Sequence, residues 1–288
     1  MNNKNILLKK LTLTTAGIAL TLSQIGCNKK AETAAASVST SFNMTASNKA
    51  ATVAMKPSLL NLLVPKALAL VPANITDSSG LSMALTKSWV VIKEVEFKTS
   101  ETTSSEESSS SEVSFKGPYY VDLLSNAPPA LDVKTIPATP FQRIKMKLEK
   151  TGTTLPSGAP NELASNSIFI AGTIGSGGSA VSFTFASDDG SEYQISGPKA
   201  VTPKEGTQIL VEINFSNIFK QINMSTVTNG EAISSSNRHA GTHLCDNIDT
   251  SANDIYTCIR KGLEKHADVG EDSDKSGDLE SDESGVKR

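Results

Sequence analysis

Short runs in which apolar and polar residues alternate are the feature that most limits how this chain can fold. Leu81, Met83 and Leu85 occupy every second position, and the segment 209–215 repeats that spacing. A period of two is typical of strands with one buried and one solvated face. Helical patterns are scarce before residue 216, which disfavours an α/β fold. Further alternating runs lie at 89–97, 113–123, 144–148, 168–170, 181–185 and 193–195.

About seven to nine short strands separated by turn sequences predict a mainly β domain over residues 80–222. We expect an antiparallel β-sandwich of the immunoglobulin or prealbumin kind. Trp89 and Phe97 are interpreted as core residues of this domain, and the alternative is a ligand platform on its surface.

The C-terminal part, residues 223–288, has a different pattern. A polar loop comes first, and Ser251 with Asp254 three residues later resembles a capping box. The apolar positions from Ile255 to Leu263 lie on one helical face, which predicts a short helix. An acidic tail is expected after the helix.

The first 26 residues have the order of a secretory signal peptide. Lys4, Lys9 and Lys10 form a positive start, and the apolar stretch from Leu11 to Ile25 has fifteen residues. That length is below the about 20 residues that span a bilayer, but it fits the apolar core of a signal peptide. We therefore predict a cleaved signal peptide at 1–26.

Gly26 and Cys27 resemble the lipobox of bacterial lipoproteins, in which the thiol of the first mature residue is acylated. Two positions depart from that pattern, because Gln24 stands where leucine is usual and Ile25 is bulkier than usual. The resemblance implies a palmitate-type lipid on Cys27 and a membrane anchor in the cell envelope, in the outer membrane and facing the periplasm or the surface. Plain secretory cleavage is the alternative, and a permanent transmembrane anchor is disfavoured by the length.

Residues 27–79 are predicted to form a flexible tether between the lipid and the domain. Residues 28–54 are rich in Ala, Ser, Thr and Asn and have no apolar periodicity. A short apolar segment, Leu59–Val71, follows and is interrupted by Pro65. We interpret this segment as packed on the domain. A second membrane contact is the alternative, which the absence of a strong basic face disfavours.

Four segments of the predicted domain resemble those of a group of uncharacterised bacterial envelope lipoproteins. They are Ser88–Phe97, Phe115–Leu124, Phe141–Leu148 and Ser167–Gly172, and the likeness spans about residues 80–222. It rests on strand patterns and not on catalytic motifs. It implies a β-sandwich-like domain of unknown function with a role in the envelope, and it implies no activity.

The chain has three cysteines, Cys27, Cys245 and Cys258. If Cys27 is acylated, an even pair remains, and an even pair in an oxidising compartment predicts a disulfide. Closing a loop of this size stabilises a fold by roughly 3 kcal/mol in the chain-entropy model. A pair of free thiols is the alternative.

The acidic tail contains a segment, DSDKSGDLESDE at 272–283, that resembles an EF-hand calcium loop. Ca²⁺ requires six to eight oxygen ligands from a loop that folds back on itself, and a glycine such as Gly277 permits the turn. Ser276 departs from the usual Asp or Asn, and a solvated acidic tail is the alternative. The predicted calcium ligands are Asp272, Asp274, Ser276, Asp278, Glu280 and Glu283.

A transition-metal site at His239, His243 and Cys245 is a weaker hypothesis, because these residues lie in a polar loop without a firm fourth ligand. Exposed loop histidines are the favoured interpretation. No nucleophile-elbow, phosphate-loop or cofactor motif occurs in the sequence.

Charge excludes one class of partner. Removing residues 1–26 removes three lysines and no acidic residue, so the formal charge changes from −3 to −6. An acidic protein without a basic patch is not expected to bind nucleic acid. The leading hypothesis is a non-enzymatic binding, adhesion or scaffolding module with an envelope protein or a glycan as its ligand. The alternative is an envelope hydrolase whose catalytic groups come from separate loops.

Overall fold

A computed structural model of the protein describes residues 36–47, 75–98, 112–125, 131–152, 154–274, 279 and 284–286. The predicted signal peptide, the acylated Cys27 and the apolar segment Leu59–Val71 lie outside the described residues. Among the helices in the described ranges, none is long and apolar enough to cross a membrane.

The described chain is mainly β, as predicted, with two short α-helices, α1 (Phe215–Phe219) and α2 (Ile255–Lys265). The strands are β1 Ser37–Ser47, β2 Ile75–Thr76, β3 Ser82–Lys98, β4 Glu112–Asp122, β5 Asp132–Pro137, β6 Phe141–Leu148, β7 Ile168–Ile174, β8 Val181–Ser187, β9 Ser191–Val201, β10 Gln208–Asn214, β11 Glu231–Ile233, β12 Ala267–Asp272 and β13 Ser284–Val286.

The strands form two sheets. The first has five strands in the order β13-β12-β10-β1-β5. The second has eight strands, with the order β11-β8-β7-β3-β6-β9 and with β2 and β4 also paired to β3. Most pairs are antiparallel, but β1–β10 and β8–β11 are parallel, which corrects the all-antiparallel expectation. Each of these two pairs is separated by a long stretch of chain, so a hairpin does not fix its direction.

Side chains from both sheets meet in one apolar core. Phe42 of β1 contacts Phe97 of β3 and Phe115 of β4, with ring centroids 6.0 Å apart in both pairs. All three rings are fully buried. Phe97 is therefore a core residue, as the alternation predicted.

Trp89 is not a core residue, which corrects the prediction made for that residue. The register of β3 shifts between Leu85 and Lys87, and such a bulge moves the following side chains to the opposite face. Val90 is consequently buried, whereas the Trp89 ring stacks on Phe169 at a centroid distance of 5.6 Å and is partly exposed.

The first strand falls inside the segment predicted to be a flexible tether. β1 lies between β10 and β5 in the five-stranded sheet, and Phe42 and Met44 are fully buried. The alternation of Val38, Thr40, Phe42 and Met44 was obscured by the Ser, Thr and Asn around it. The fold therefore begins before residue 80, and the predicted tether of 27–79 is too long.

The C-terminal part belongs to the same fold. Helix α2 confirms the predicted helix, although its N-cap is Asp254, whose Oδ1 accepts from the Thr257 amide at 2.6 Å, and not Ser251. The segment after the helix, predicted to be an acidic tail, begins with strand β12, which pairs with β10. Val269 and Ala267 are buried there, because this strand extends the core-facing row of β10.

Candidate functional site

The two predicted partner cysteines lie together in the C-terminal part of the fold. Cys245 and Cys258 form a disulfide with their Cα atoms 5.8 Å apart, and both side chains are buried. Cys258 lies on the inner face of α2, so the bond attaches the loop before the helix to the helix itself. The predicted disulfide is confirmed by this geometry.

Three side chains from separate loops and a short strand form a hydrogen-bonded row that we call the Thr226–His239–Glu231 cluster. The His239 Nε2 lies 2.9 Å from the Thr226 Oγ1, and the His239 Nδ1 lies 2.5 Å from the Glu231 Oε1. The imidazole therefore has a hydroxyl on one ring nitrogen and a carboxylate on the other.

His239 is held in a backbone conformation that few residues adopt. Its φ is 53°, in the left-handed region. Its carbonyl oxygen accepts from the Ile255 amide at 3.1 Å, at the start of α2, and the imidazole is mostly buried at 14 % exposure. Strained positions of this kind persist when the surroundings fix them, and they are frequent at functional sites.

Glu231 lies at the beginning of β11 and has its second carboxylate oxygen occupied. Oε2 accepts from the Thr228 amide at 2.8 Å and from the Thr228 hydroxyl at 3.0 Å. Burial alone would raise the pKa of Glu231, but the hydrogen bonds from Thr228 and from His239 outweigh it and hold that pKa below its ordinary value of 4.5. The carboxylate facing His239 is consequently ionised near neutral pH.

Thr226 lies at the tip of a tight turn with buried flanks. The Val227 amide donates to the Met224 carbonyl at 3.1 Å, and Met224 and Val227 are buried. The Met224 amide also donates to Oδ2 of the buried Asp77 at 2.9 Å. The exposed hydroxyl of Thr226 is therefore presented by an anchored turn. A hydroxyl, a base and an orienting carboxylate in this order can perform nucleophilic chemistry.

The three residues of the sequence-based transition-metal hypothesis have other partners in the structure, and His239 belongs to the Thr226–His239–Glu231 cluster. Cys245 is consumed in the disulfide, and the exposed His243 places Nδ1 2.8 Å from Asp246 Oδ2. Across the described ranges no group of three His, Cys, Asp or Glu could hold a metal ion. Sequence reasoning singled out His239 but assigned it the wrong partners. Glu231 and Thr226 could not be selected from among many similar residues without the chain path.

The segment that resembles an EF-hand loop lies between two strands. Asp272 is the last residue of β12, buried and opposite Gln208, and β13 pairs antiparallel to β12. The flanking elements are strands, whereas helices flank the loop of an EF-hand. Asp274 is exposed and Leu279 is buried, and the other predicted ligands, Ser276, Asp278, Glu280 and Glu283, lie outside the described residues.

A second polar cluster surrounds the buried Tyr256 in α2. Its hydroxyl donates to Asp189 Oδ2 at 2.8 Å, and the Arg260 Nη1 donates to the same oxygen at 2.9 Å. Arg238 lies over the ring at 4.6 Å and pairs with Asp254. Burial, together with Asp189, raises the pKa of Tyr256. Both arginines have carboxylate partners, so this cluster attaches α2 to the neighbouring loops.

No family model, no curated protein and no solved structure matches this chain.

Proposed function

We propose that this chain is an exported bacterial envelope lipoprotein, anchored by a lipid on Cys27, whose β domain is a binding module. The observation that supports export is the disulfide. Such bonds persist in oxidising compartments, and Cys27 is the one cysteine of the three left outside the pair.

The scaffold is suited to presenting a surface. We infer a sandwich-like arrangement of the two sheets, because the Phe42 ring of the first sheet packs against Phe97 and Phe115 of the second. The parallel β1–β10 pair departs from a purely antiparallel sandwich, so the immunoglobulin-like or prealbumin-like form stays a prediction.

The candidate ligand surface is the outward-facing aromatic pair of Trp89 and Phe169. Aromatic side chains are enriched at binding surfaces, and Lys87, 5.0 Å from the Trp89 ring, adds a polar group beside them. We propose an envelope protein or a glycan as the ligand. Trp89 is the single tryptophan of the chain, so its fluorescence reports directly on this surface.

Metabolic labelling with a palmitate analogue tests the anchor. The wild-type protein should be labelled and pelleted with membranes, whereas Cys27→Ser should be unlabelled and released. Cys245→Ser is the matched control, because it alters a different cysteine and should retain the label. Equal labelling of the wild type and Cys27→Ser would contradict the lipid anchor.

Titration of the exported protein with purified peptidoglycan fragments and lipopolysaccharide tests the binding surface. A saturable change in tryptophan emission that Phe169→Ala abolishes is the expected result. Binding that leaves the emission unchanged and survives Phe169→Ala would place the ligand elsewhere on the protein.

A further inference from the structure

We propose that the Thr226–His239–Glu231 cluster is a nucleophilic site that hydrolyses carboxylic esters. This proposal goes beyond the binding role, and it replaces the expectation of a non-enzymatic module. The sequence alone named no catalytic residues for the hydrolase alternative. The folded chain brings together a hydroxyl, an imidazole and a carboxylate that could serve it.

The order of the three groups along the hydrogen-bonded row is that of a nucleophile, a base and an orienting carboxylate. With the proton of the imidazole on Nδ1, His239 donates to Glu231 and its Nε2 accepts from the Thr226 hydroxyl. This tautomer leaves Nε2 able to take the hydroxyl proton. A nucleophile within hydrogen-bond reach of a base, with the base oriented by a third group, is the geometric signature of covalent catalysis.

Each of the three groups is also fixed in position. Glu231 is immobilised by Thr228, His239 is fixed by its strained backbone and its bond to Ile255, and the Thr226 turn is anchored through Asp77. Reactive groups contribute to catalysis when they are held in position before the substrate arrives. A hydrogen bond made only by mobile surface side chains would not have these supports.

The cluster also has a backbone donor for the acyl oxygen of a substrate. The Thr226 amide makes no hydrogen bond within the described part of the chain, so it can donate to a carbonyl oxygen that approaches the hydroxyl of the same residue. A backbone N–H beside the nucleophile is the usual donor to the oxyanion that forms in acyl transfer.

The chemistry balances without a cofactor. The Thr226 Oγ1 adds to the carbonyl carbon of the ester, and its proton passes to His239 Nε2. The bond from that carbon to the ester oxygen then breaks, and the departing alcohol takes the proton from His239. Water next adds to the acyl-threonine, gives a proton to His239, and the carbon–Oγ1 bond breaks as Thr226 recovers that proton. The products are a carboxylic acid and an alcohol.

The location of the site indicates the class of substrate. Thr226 is exposed at the tip of its turn and does not lie at the bottom of a deep cleft. Such a hydroxyl can reach an acyl group that projects from a larger molecule. We therefore assign the site to O-acyl esters on a polymer or a surface.

The test uses the full-length exported protein and p-nitrophenyl acetate, an activated ester that reports acyl transfer. The wild type should release p-nitrophenol and gain one acetyl group on Thr226, seen by peptide mass spectrometry after an acid quench. Thr226→Ala should lose the adduct, and Thr226→Ser should restore it. His239→Asn, chosen because asparagine tolerates positive φ, should lower the acylation rate about 100-fold or more.

Two further variants separate a catalytic role from a structural one. Glu231 is a positioning residue, so Glu231→Gln should lower kcat and leave KM unchanged. His243→Asn removes an exposed imidazole that also faces a carboxylate, and it should react like the wild type. Absence of an acetyl adduct on the wild type, an adduct that survives Thr226→Ala, or equal losses in His243→Asn and His239→Asn would each overturn the proposal.

Discussion

The disulfide between Cys245 and Cys258 gives a stability prediction whose size follows from the geometry. The two residues are 13 positions apart, and closing a loop of that length contributes roughly 3 kcal/mol in the chain-entropy model. For a domain of 150–250 residues, each kcal/mol corresponds to about 2–4 °C in Tm, so removing the bond should lower Tm by roughly 6–12 °C. The Cys245→Ala/Cys258→Ala variant should lose at least this much, since both sulfur atoms are buried.

Urea unfolding of the wild type with and without dithiothreitol measures the bond alone, and the double variant provides the control. Dithiothreitol should lower the free energy of unfolding of the wild type and should leave the double variant unchanged. Alkylation before unfolding should find no accessible thiols at these positions in the exported protein. An unfolding midpoint of the wild type that does not respond to dithiothreitol, or two alkylated cysteines in native material, would refute the reasoning.

Gly172→Ala should destabilise the fold by roughly 1–3 kcal/mol in urea unfolding, because an added Cβ would overlap the carbonyl oxygen of Ala84 on the neighbouring strand. Gly178→Ala has open space around it and should be nearly neutral. Equal losses of stability in the two variants would contradict this prediction. The lowered pKa of Glu231 stabilises the fold above its ordinary value of 4.5, and this stabilisation should disappear as the pH falls through the lower folded value. Glu231→Gln should therefore flatten the acid limb of a plot of unfolding midpoint against pH, and an unchanged limb would exclude this contribution. Calorimetry should detect calcium at millimolar concentrations, and Glu283→Gln should abolish that response. An equal response in the variant would leave only a solvated acidic tail.

Apolar alternation identified most of the second sheet from the sequence, because the core-facing rows of β7 and β8 each lie on one face without interruption. It also identified β10 of the first sheet. Strand β3 shows where this reasoning fails. Its two register shifts reverse the buried face twice, so Met83, Val90 and Phe97 are all buried although no single period of two connects them. A bulge leaves no clear mark in the sequence, which is why Trp89 was assigned to the wrong face.

Strand β1 was missed for a different reason. Seven of its eleven residues are Ser, Thr or Asn, which are common in linkers, and only Phe42 and Met44 have large apolar side chains. The partner of this strand, β10, lies far along the chain, so no hairpin turn in the sequence indicated the pairing. The Thr226–His239–Glu231 cluster was hidden likewise, because a left-handed backbone at His239 and an anchored turn at Thr226 depend on contacts with distant residues such as Asp77.

If the proposed lipid anchor is present on Cys27, the position of β1 limits how far the protein can extend from the membrane. Ser37 begins this strand ten residues after Cys27, and ten extended residues reach about 35 Å at most. A linker that lasted until residue 80 would have reached roughly 180 Å. With a lipid on Cys27, the domain would stay within roughly its own diameter of the bilayer. It would then encounter only molecules that lie on, or come to, the surface of that membrane, and it could not span the gap to a second one.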